Sequence, residues 1–331
     1  MLAETVDPFV GRPQDACFRH HLYMRCTSKQ GNVMFGLPYQ GIATFLKAPQ
    51  DSTRPFAFLG LPYDCSVTFR PGARMAPNAL RRASMMLTDG RHPEFETDPC
   101  ALVSDLGDLD IMQVGQHDAL RRIEAGVMAA CEQAPGQTLL CAGGDHMTTL
   151  GVLRAQRRLQ GQPLSLIHFD AHCDTWSSHF GDDIGHGTFL RNAIDEGLVA
   201  PERVLSLGLR SPVEPSTRDW LCEQGGEWLS SRELMRLEGA ALAQKVRERM
   251  GSSPIYVTFD IDVLDPAHAP GTGTPEIGGI TTMKALELLE ALREFNLIGM
   301  DVVEVSPPYD PQEITSLAAA TLLWTFIAMR G

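Results

Sequence analysis

Hydrophobic and polar positions divide the chain into short apolar runs and longer periodic stretches. The short runs, rich in leucine and β-branched residues, end in polar residues and lie within 56–64, 137–145, 164–172, 203–210, 254–262 and 297–307. Stretches with helical spacing occupy 117–133, 147–159, 240–250, 283–295 and 313–329. Short apolar runs bounded by polar turns indicate buried strands, and the longer periodic segments indicate helices.

This alternation of strands and helices predicts an α/β fold. Strands joined through helices form βαβ units, which build a mostly parallel sheet covered by helices on both sides. No linker or composition break divides the chain after residue 55, and we expect one catalytic domain over 51–331. Residues 1–50 lack sustained periodicity and predict an irregular arm that lies over the body or over a neighbouring subunit.

Composition and charge exclude several classes of function. The formal net charge is −13 and no run of Lys or Arg exceeds a pair, which argues against a sequence-independent nucleic-acid binder. No segment approaches the roughly 20 apolar residues that span a bilayer. The surplus of negative charge instead favours a cationic small molecule as the binding partner.

The cysteines indicate a reducing compartment. Eight are scattered along the chain without a CxxC pair, at positions 17, 26, 65, 100, 131, 141, 173 and 222, and the acidic N-terminal stretch does not resemble a secretory signal. We therefore expect free thiols and a cytoplasmic location.

The stretch HFDAHCDT, residues 168–175, places two histidines and two carboxylates at the end of an apolar run. Burial of so much charge requires compensation. If the strand continues through it, His168, Asp170 and His172 point to one face, with Asp174 in the same parity. A second run, VTFDIDVLDP, presents Asp260 and Asp262. In a third, LLCAGGDHMTTLG, the predicted strand ends at two glycines just before His146.

All three clusters follow predicted parallel strands, so they meet at one edge of the sheet, where α/β folds bind ligands. Two divalent cations would balance the four carboxylates among the predicted ligands, which are His146, Asp170, His172, Asp174, Asp260 and Asp262. Oxygen donors with a few imidazoles suit Mn²⁺, with Ni²⁺, Co²⁺ or Zn²⁺ as alternatives. A pair of such ions lowers the pKa of a shared water molecule, which predicts hydrolytic chemistry.

Each of these residues alone also fits a structural role. Asp260 and Asp262 are typical of a strand end and a turn, and His146 is typical of a helix start. His168 has the parity of a ligand but is more typical of a core histidine satisfied by the backbone. Cys173 faces the other way and fits a packed thiol.

Taken together, the motifs resemble the ureohydrolases, the arginase and agmatinase superfamily. The similarity rests on GGDH (143–146), DAHCD (170–174) and FDIDVLDPAHAPGTGTPEIGG (259–279), of which the last is most like the agmatinase branch. It extends to GLPYDCSVTFRPGAR (60–74), HGTFLRNAI (186–194) and GMDVVEVSPPYD (299–310). It thus covers the chain from about residue 35 to the C-terminus.

The resemblance implies a three-layer α/β/α fold, a binuclear manganese site and hydrolysis of a guanidino compound to urea and an amine. One metal would be held by His146, Asp170, Asp174 and Asp260, and the other by His172, Asp170, Asp260 and Asp262, so that Asp170 and Asp260 bridge. His186 would move protons near the leaving amine, and Glu304 would bind the guanidinium.

The chemistry of the residue types supports the last two assignments. A carboxylate such as Glu304 matches the planar N–H donors of a guanidinium. An imidazole such as His186 is able to protonate the departing nitrogen. The structural alternative for Glu304 is a buried acid paired with a core arginine.

Departures from the family pattern bear on the substrate. Arginases have Asn two residues after the DAHxD motif, whereas this chain has Trp176, which argues against arginine. Asp183 or its neighbour Asp182 is a candidate acceptor for the distal ammonium of agmatine, although solvated loop acids are common. Trp176 and Phe180 would narrow the pocket toward a short or substituted guanidine. The sequence GARMAP (72–77) replaces the usual GARxGP and favours a more apolar entrance.

Several alternatives therefore stay open beside agmatine. The substrate choices are guanidinobutyrate, guanidinopropionate, guanidine, an alkylated guanidine or a biguanide. The chain would also fit a non-catalytic subunit of a hetero-oligomer, or a deacetylase-type hydrolase with a single zinc. The resemblance implies a homo-oligomer, a trimer or hexamer, with the N-terminal arm as an interface.

Overall fold

A computed structural model describes residues 39–51 and 53–331. Most of the predicted N-terminal arm therefore lies outside the described residues, as do Cys17 and Cys26. Residues Phe45–Lys47 form a short 3-10 turn in which Phe45 and Leu46 are buried. The side chains of Cys65, Cys131, Cys141, Cys173 and Cys222 are free thiols, as expected.

A sheet of eight parallel strands forms the centre of the fold. Its strands are β1 (Phe56–Gly60), β2 (Val103–Asp108), β3 (Thr138–Ala142), β4 (Leu164–Phe169), β5 (Val199–Leu209), β6 (Glu227–Ser230), β7 (Ile255–Asp260) and β8 (Leu297–Val303). They lie in the order β2-β1-β3-β8-β7-β4-β5-β6, and every paired neighbour is parallel. The α/β fold class predicted from the sequence is confirmed.

Helices follow most of the strands. They are α1 (Ala76–Ala83), α2 (Pro99–Leu102), α3 (Gln116–Gln133), α4 (Met147–Gln160), α5 (Phe189–Asp195), α6 (Pro215–Glu223), α7 (Ser231–Arg236), α8 (Gly239–Met250), α9 (Thr282–Glu290) and α10 (Ile314–Arg330). Among the helices of the described residues, none combines the length and the apolar composition required to cross a bilayer.

Two hydrophobic cores cover the two faces of the sheet. Alternate residues of β1 enter different cores: Phe56 and Phe58 pack into one, and Ala57 and Leu59 into the other. The first core contains residues of α1, α8, α9 and α10, and the second contains residues of α3, α4, α5 and α6. Because a parallel sheet must be covered on both faces, the result is a three-layer α/β/α arrangement.

The six strands predicted from the sequence are the six interior strands of the sheet, and the two missed strands, β2 and β6, are its edges. Interior strands are buried on both faces and give continuous apolar runs. The burial pattern of β2 instead becomes exposed toward its end. The helix predicted over 283–295 ends earlier, at Glu290, and the chain continues in turns. Leu292, which lies in these turns, is still buried.

A buried ion pair ties the edge strand β2 to helix α1. Arg81 of α1 donates to both carboxylate oxygens of Asp105, at 2.8 and 3.0 Å, and to Asp108 at 2.7 Å. Arg81 and Asp105 are almost fully buried. Removal of one partner would leave a buried charge uncompensated, so this pair fixes the edge of the sheet.

Candidate active site

The six predicted metal ligands and Glu304 lie at or just after the C-terminal ends of four adjacent strands. In the sheet these strands stand in the order β3, β8, β7 and β4. After β3 the chain turns through Gly143 and Gly144, both with φ of 82°, and enters α4 directly after His146. A Cβ atom on Gly144 would lie 2.8 Å from the carbonyl oxygen of Leu61, so only glycine fits this turn.

His146 directs one ring nitrogen at three carboxylates. Its Nδ1 atom lies 3.0 Å from Asp170 Oδ2, and 3.2 Å from Oδ2 of both Asp174 and Asp260. Nδ1 is buried, yet none of these contacts has hydrogen-bond geometry. The other ring nitrogen, Nε2, lies 2.9 Å from the hydroxyl of Thr258. His146 is thus oriented as a metal ligand would be, with its second nitrogen held from behind.

Asp170 links this group to a second one. Its Oδ2 atom faces His146, whereas its Oδ1 atom lies 3.3 Å from Nδ1 of His172. The same nitrogen of His172 lies 3.0 Å from Oδ2 of Asp262. The structure therefore brings all six predicted ligands together, in two groups joined by Asp170.

The route by which these residues meet differs from the expectation for HFDAHCDT. Strand β4 ends at Phe169, so Asp170 and His172 belong to the following loop, and the prediction of a shared strand face is wrong for them. Instead, Asp170 Oδ1 accepts a hydrogen bond from the backbone N–H of His172 at 2.6 Å, which folds the loop back. Asp174 has a left-handed φ of 50°, a conformation uncommon for residues with a side chain.

Burial and mutual repulsion perturb the carboxylates. Burial, together with the charges of Asp262 and Asp170, holds the pKa of Asp260 well above its ordinary value. Burial and the charge of Asp170 also raise the pKa of Asp174. Burial alone would lower the pKa of His146, but the surrounding carboxylates hold it well above its usual range. The site thus carries more negative charge than its own histidines neutralise.

These observations fit a pair of divalent cations. The Nδ1 atom of His146 is buried without a hydrogen bond but faces three oxygens, as a ligand nitrogen does. The side chains supply carboxylate oxygens and imidazole nitrogens, which suit Mn²⁺ and its neighbours in the first transition series. Asp170 presents one oxygen to each group, so it is placed to bridge two ions.

The six predicted ligands form one cluster, and a histidine and a glutamate stand beside it. Glu304 directly follows β8 with a left-handed φ of 61°, a strained conformation of the kind found at functional sites. Its Oε1 atom accepts a hydrogen bond from the backbone N–H of His146 at 2.9 Å and lies 3.0 Å from His186 Nδ1. Its Oε2 atom is buried without a partner. Glu304 is therefore paired with a histidine and not, as the alternative proposed, with a core arginine.

The pairing with Glu304 also changes the acid–base properties of His186. Burial would lower the pKa of His186, but the hydrogen bond and the charge of Glu304 raise it to about 8. A protonated imidazole near neutral pH is suited to act as a general acid.

A cavity of about 260 Å³ opens onto the predicted ligands, and its wall includes His172, Asp174, His186 and Asp260. Trp176 and Phe180, predicted to narrow the pocket, both line it. Between them lies His179, whose ring stacks on Trp176 with 5.1 Å between ring centroids and on Phe180 with 4.8 Å.

The two acids of the same loop differ in their position. The structure does not place Asp183 at the cavity wall: its side chain is exposed, and its carbonyl accepts hydrogen bonds from Thr188 and Asn192. Asp182 lines an adjoining cavity of about 280 Å³, where its Oδ2 atom accepts a hydrogen bond from Gln116 at 3.3 Å. Thr68, His179 and Phe180 line both cavities.

Two residues outside the predicted ligand set orient the site: His168, which was expected to be a core histidine, and Arg210, which the sequence patterns did not single out. His168 lies 2.8 Å from Asp170 through Nε2 and 3.1 Å from the Ser206 hydroxyl through Nδ1, so side chains and not the backbone satisfy it. Arg210 donates to the carbonyls of Asp262 and Glu276 at 2.6 and 2.7 Å. Because Arg210 directly follows β5, the strand-end rule that found the ligands could also have found it.

Comparison with known proteins assigns the family. The model of the arginase family matches residues 54–329. The chain belongs to the arginase family. The predicted ureohydrolase relationship is confirmed, and with it the prediction of a metal-dependent hydrolase.

Relatives within the arginase family include enzymes that act on different guanidino compounds. The chain is 40% identical over 298 residues to a guanidinopropionase of Pseudomonas aeruginosa, which covers 88% of this chain and 92% of the relative. It is 39% identical over 294 residues to an agmatinase of Chromobacterium violaceum, covering 85% of this chain and 86% of the relative. The chain is thus about equally similar to relatives that are named for two different guanidino substrates.

Solved structures of the arginase family share the fold. The proclavaminate amidino hydrolase of Streptomyces clavuligerus superposes with a TM-score of 0.82 at 33% identity, covering 88% of this chain and 98% of that one. The likeness extends over nearly the whole of the described domain.

Proposed function

We propose that the protein hydrolyses the C–N bond of a guanidino compound to give urea and an amine, with an agmatinase-like substrate. The observation that carries the proposal is the unpartnered Oε2 atom of Glu304, which is buried beside the predicted metal ligand His146. A buried carboxylate oxygen without a partner is costly, and a guanidinium N–H group would satisfy it.

His146, Asp170, Asp174 and Asp260 would hold one divalent cation, and His172, Asp262 and the shared Asp170 and Asp260 the other. When bound, the cations lower the pKa of a water molecule so that hydroxide is available near neutral pH. Mn²⁺ is our first choice and Ni²⁺ the alternative.

Two other side chains bind the substrate and transfer the proton. Glu304 binds the guanidinium and fixes its central carbon next to the cluster, which lowers the entropic cost of attack. The guanidinium carbon forms a new bond to an oxygen that comes from water, and its bond to the alkyl-bearing nitrogen breaks. His186 gives its Nε2 proton to that nitrogen, one proton of the water replaces it, and the second proton of the water also ends on the nitrogen, so urea and a protonated amine leave.

The cavity walls favour a substrate without a negatively charged tail. Asp182 is the only charged residue in the wall of the adjoining cavity among the described residues, and no Lys or Arg lines either cavity there. A guanidine with a distal ammonium would place that cation near Asp182, whereas a guanidino acid would place a carboxylate there. We therefore rank agmatine above guanidinobutyrate and guanidinopropionate.

The test is urea release from the purified protein reloaded with Mn²⁺ or with Ni²⁺. The substrates are agmatine, arginine, guanidinobutyrate, guanidinopropionate, guanidine, dimethylated guanidines and a biguanide. We expect agmatine to give the highest kcat/KM, and Asp182→Asn to reduce it for agmatine more than for guanidine. A preference for a guanidino acid would contradict the ranking. Two bound ions with no urea from any compound would favour the non-catalytic subunit, and one zinc would favour the deacetylase alternative.

The family resemblance also supports a homo-oligomer, a trimer or hexamer, and the scattered cysteines favour a cytoplasmic location. An apolar cavity of about 300 Å³ between α9 and α10 agrees with such an assembly, because exposed Ile314 and Leu317 line it. Mass measurement by light scattering, on this chain alone and after coexpression with related chains, would distinguish homo-oligomers from hetero-oligomers.

A further inference from the structure

The hydroxyl of Thr68 contacts the one ring nitrogen of His186 that Glu304 leaves available. Thr68 Oγ1 lies 3.0 Å from Nε2 of His186, and Glu304 Oε1 lies 3.0 Å from Nδ1. The imidazole is therefore held on both sides, by a carboxylate on one nitrogen and a hydroxyl on the other.

Thr68 belongs to a loop that is anchored at two points. The buried carboxylate of Asp145 accepts hydrogen bonds from the N–H and the hydroxyl of Ser66, at 2.9 and 2.7 Å. The buried carboxylate of Asp64 accepts one from the N–H of Gly72 at 2.7 Å. These anchors hold the loop on both sides of Thr68, whose hydroxyl lies opposite His186.

The two partners of His186 differ in what they are able to do. An ionised carboxylate only accepts hydrogen bonds, so Nδ1 must carry its hydrogen toward Glu304, and Nε2 is the nitrogen that gains and loses the proton. A hydroxyl both donates and accepts. Thr68 is thus able to donate to Nε2 of the neutral ring and to accept from Nε2–H of the protonated ring.

We propose that Thr68 is a positioning residue, which holds the Nε2 atom of His186 toward the cavity in both protonation states. The inference rests on the proposed function, in which Nε2 gives its proton to the departing nitrogen. Thr68 lines the cavity together with His186, so it acts where the substrate binds. It is also exposed, so its replacement removes little from the core.

The first test compares Thr68→Val, which removes the hydroxyl at nearly constant shape, with Thr68→Ser, which keeps it. In the metal-loaded enzyme we expect Thr68→Val to lower kcat by about tenfold or more, with KM within about threefold and metal content unchanged, because misplacement of a catalytic group acts mainly on turnover. Thr68→Ser should stay within about threefold of wild type. Thr53→Val, at an exposed threonine outside both cavity walls, is the matched control.

The second test does not depend on turnover. Diethyl pyrocarbonate reacts with an unprotonated imidazole nitrogen, and mass spectrometry of the peptide measures its rate at His186. Loss of the hydroxyl frees the Nε2 lone pair, so we expect several-fold faster modification in Thr68→Val and a wild-type rate in Thr68→Ser. If Thr68→Val does not fold, Thr68→Ala takes its place.

The outcomes separate the two proposals. If no guanidine yields urea in the wild type, the proposed function fails, while the modification rates still decide whether Thr68 holds Nε2. If Thr68→Val keeps the wild-type kcat and modification rate, or if Thr68→Ser is impaired as strongly as Thr68→Val, the positioning role is overturned.

Discussion

Glu304 contacts His186 with only one of its two carboxylate oxygens. Oε1 lies 3.0 Å from His186 Nδ1, whereas Oε2 is buried without a partner. One side chain therefore both sets the protonation of the histidine and leaves an acceptor for a cationic ligand.

Glu304→Gln should abolish turnover without loss of metal. The amide keeps the shape but lacks the charge that binds a guanidinium and supports a protonated His186, so we expect kcat/KM to fall by about a hundredfold or more. Urea release and elemental analysis of the same preparation measure the two effects. Glu223→Gln, at an exposed position, is the matched control and should behave as wild type. Loss of both ions in Glu304→Gln would instead make Glu304 part of the metal site.

The pKa of His186 should depend on Glu304. Its pKa is about 8, against an ordinary value of 6.5, because Glu304 favours the protonated ring. Since the folded pKa exceeds the unfolded one, the protonated ring stabilises the fold below pH 6.5 and this contribution is lost as pH rises through about 8. The difference corresponds to about 2 kcal/mol.

The contribution of protonated His186 to the free energy of unfolding is measured by denaturant unfolding at about pH 6 and about pH 9, as the difference between wild type and His186→Gln. We expect the stability advantage of the wild type to be larger at the lower pH. NMR titration of Glu304→Gln should place the histidine pKa closer to its ordinary value. An unchanged pKa in that variant would contradict the assigned cause.

Asp170→Asn should remove both metal ions, because the two oxygens of Asp170 face different histidines. Its Oδ2 atom lies 3.0 Å from His146 and its Oδ1 atom 3.3 Å from His172. His172→Ala, which alters one group only, should keep about one ion per chain, since loss of a single ligand weakens mainly its own ion. Elemental analysis after equilibration with Mn²⁺ measures both. Two ions retained in Asp170→Asn would show that Asp170 does not bridge.

Arg81→Ala should destabilise the fold by about 3–5 kcal/mol, because it leaves the buried carboxylate of Asp105 without its partner. The neighbouring residue provides the control. Arg82 pairs with Glu313 at 3.0 Å on the surface, where such a pair contributes about 0–1 kcal/mol. Denaturant unfolding of Arg81→Ala and Arg82→Ala measures both. Equal decreases in the free energy of unfolding would show that the buried pair of Arg81 stabilises the fold no more than the surface pair of Arg82.

Much of the site was predictable because its ligands follow strands whose apolar runs are continuous. His146, Asp170 and Asp260 each lie at or just after the end of such a run, and parallel strands place those ends at one edge. The shared face expected for Asp170 and His172 was wrong, because a hydrogen bond between their own atoms ends the strand at Phe169.

The sequence by itself determined the fold class, the six interior strands and which six side chains meet at the site, because strands buried on both faces and polar residues at strand ends are both readable from the local sequence. Only the tertiary structure decided the edge strands, the order of the strands and the partners that orient the site, such as Thr258 behind His146 and Thr68 beside His186. These contacts join segments more than a hundred residues apart, and no local periodicity encodes which distant segments pack together.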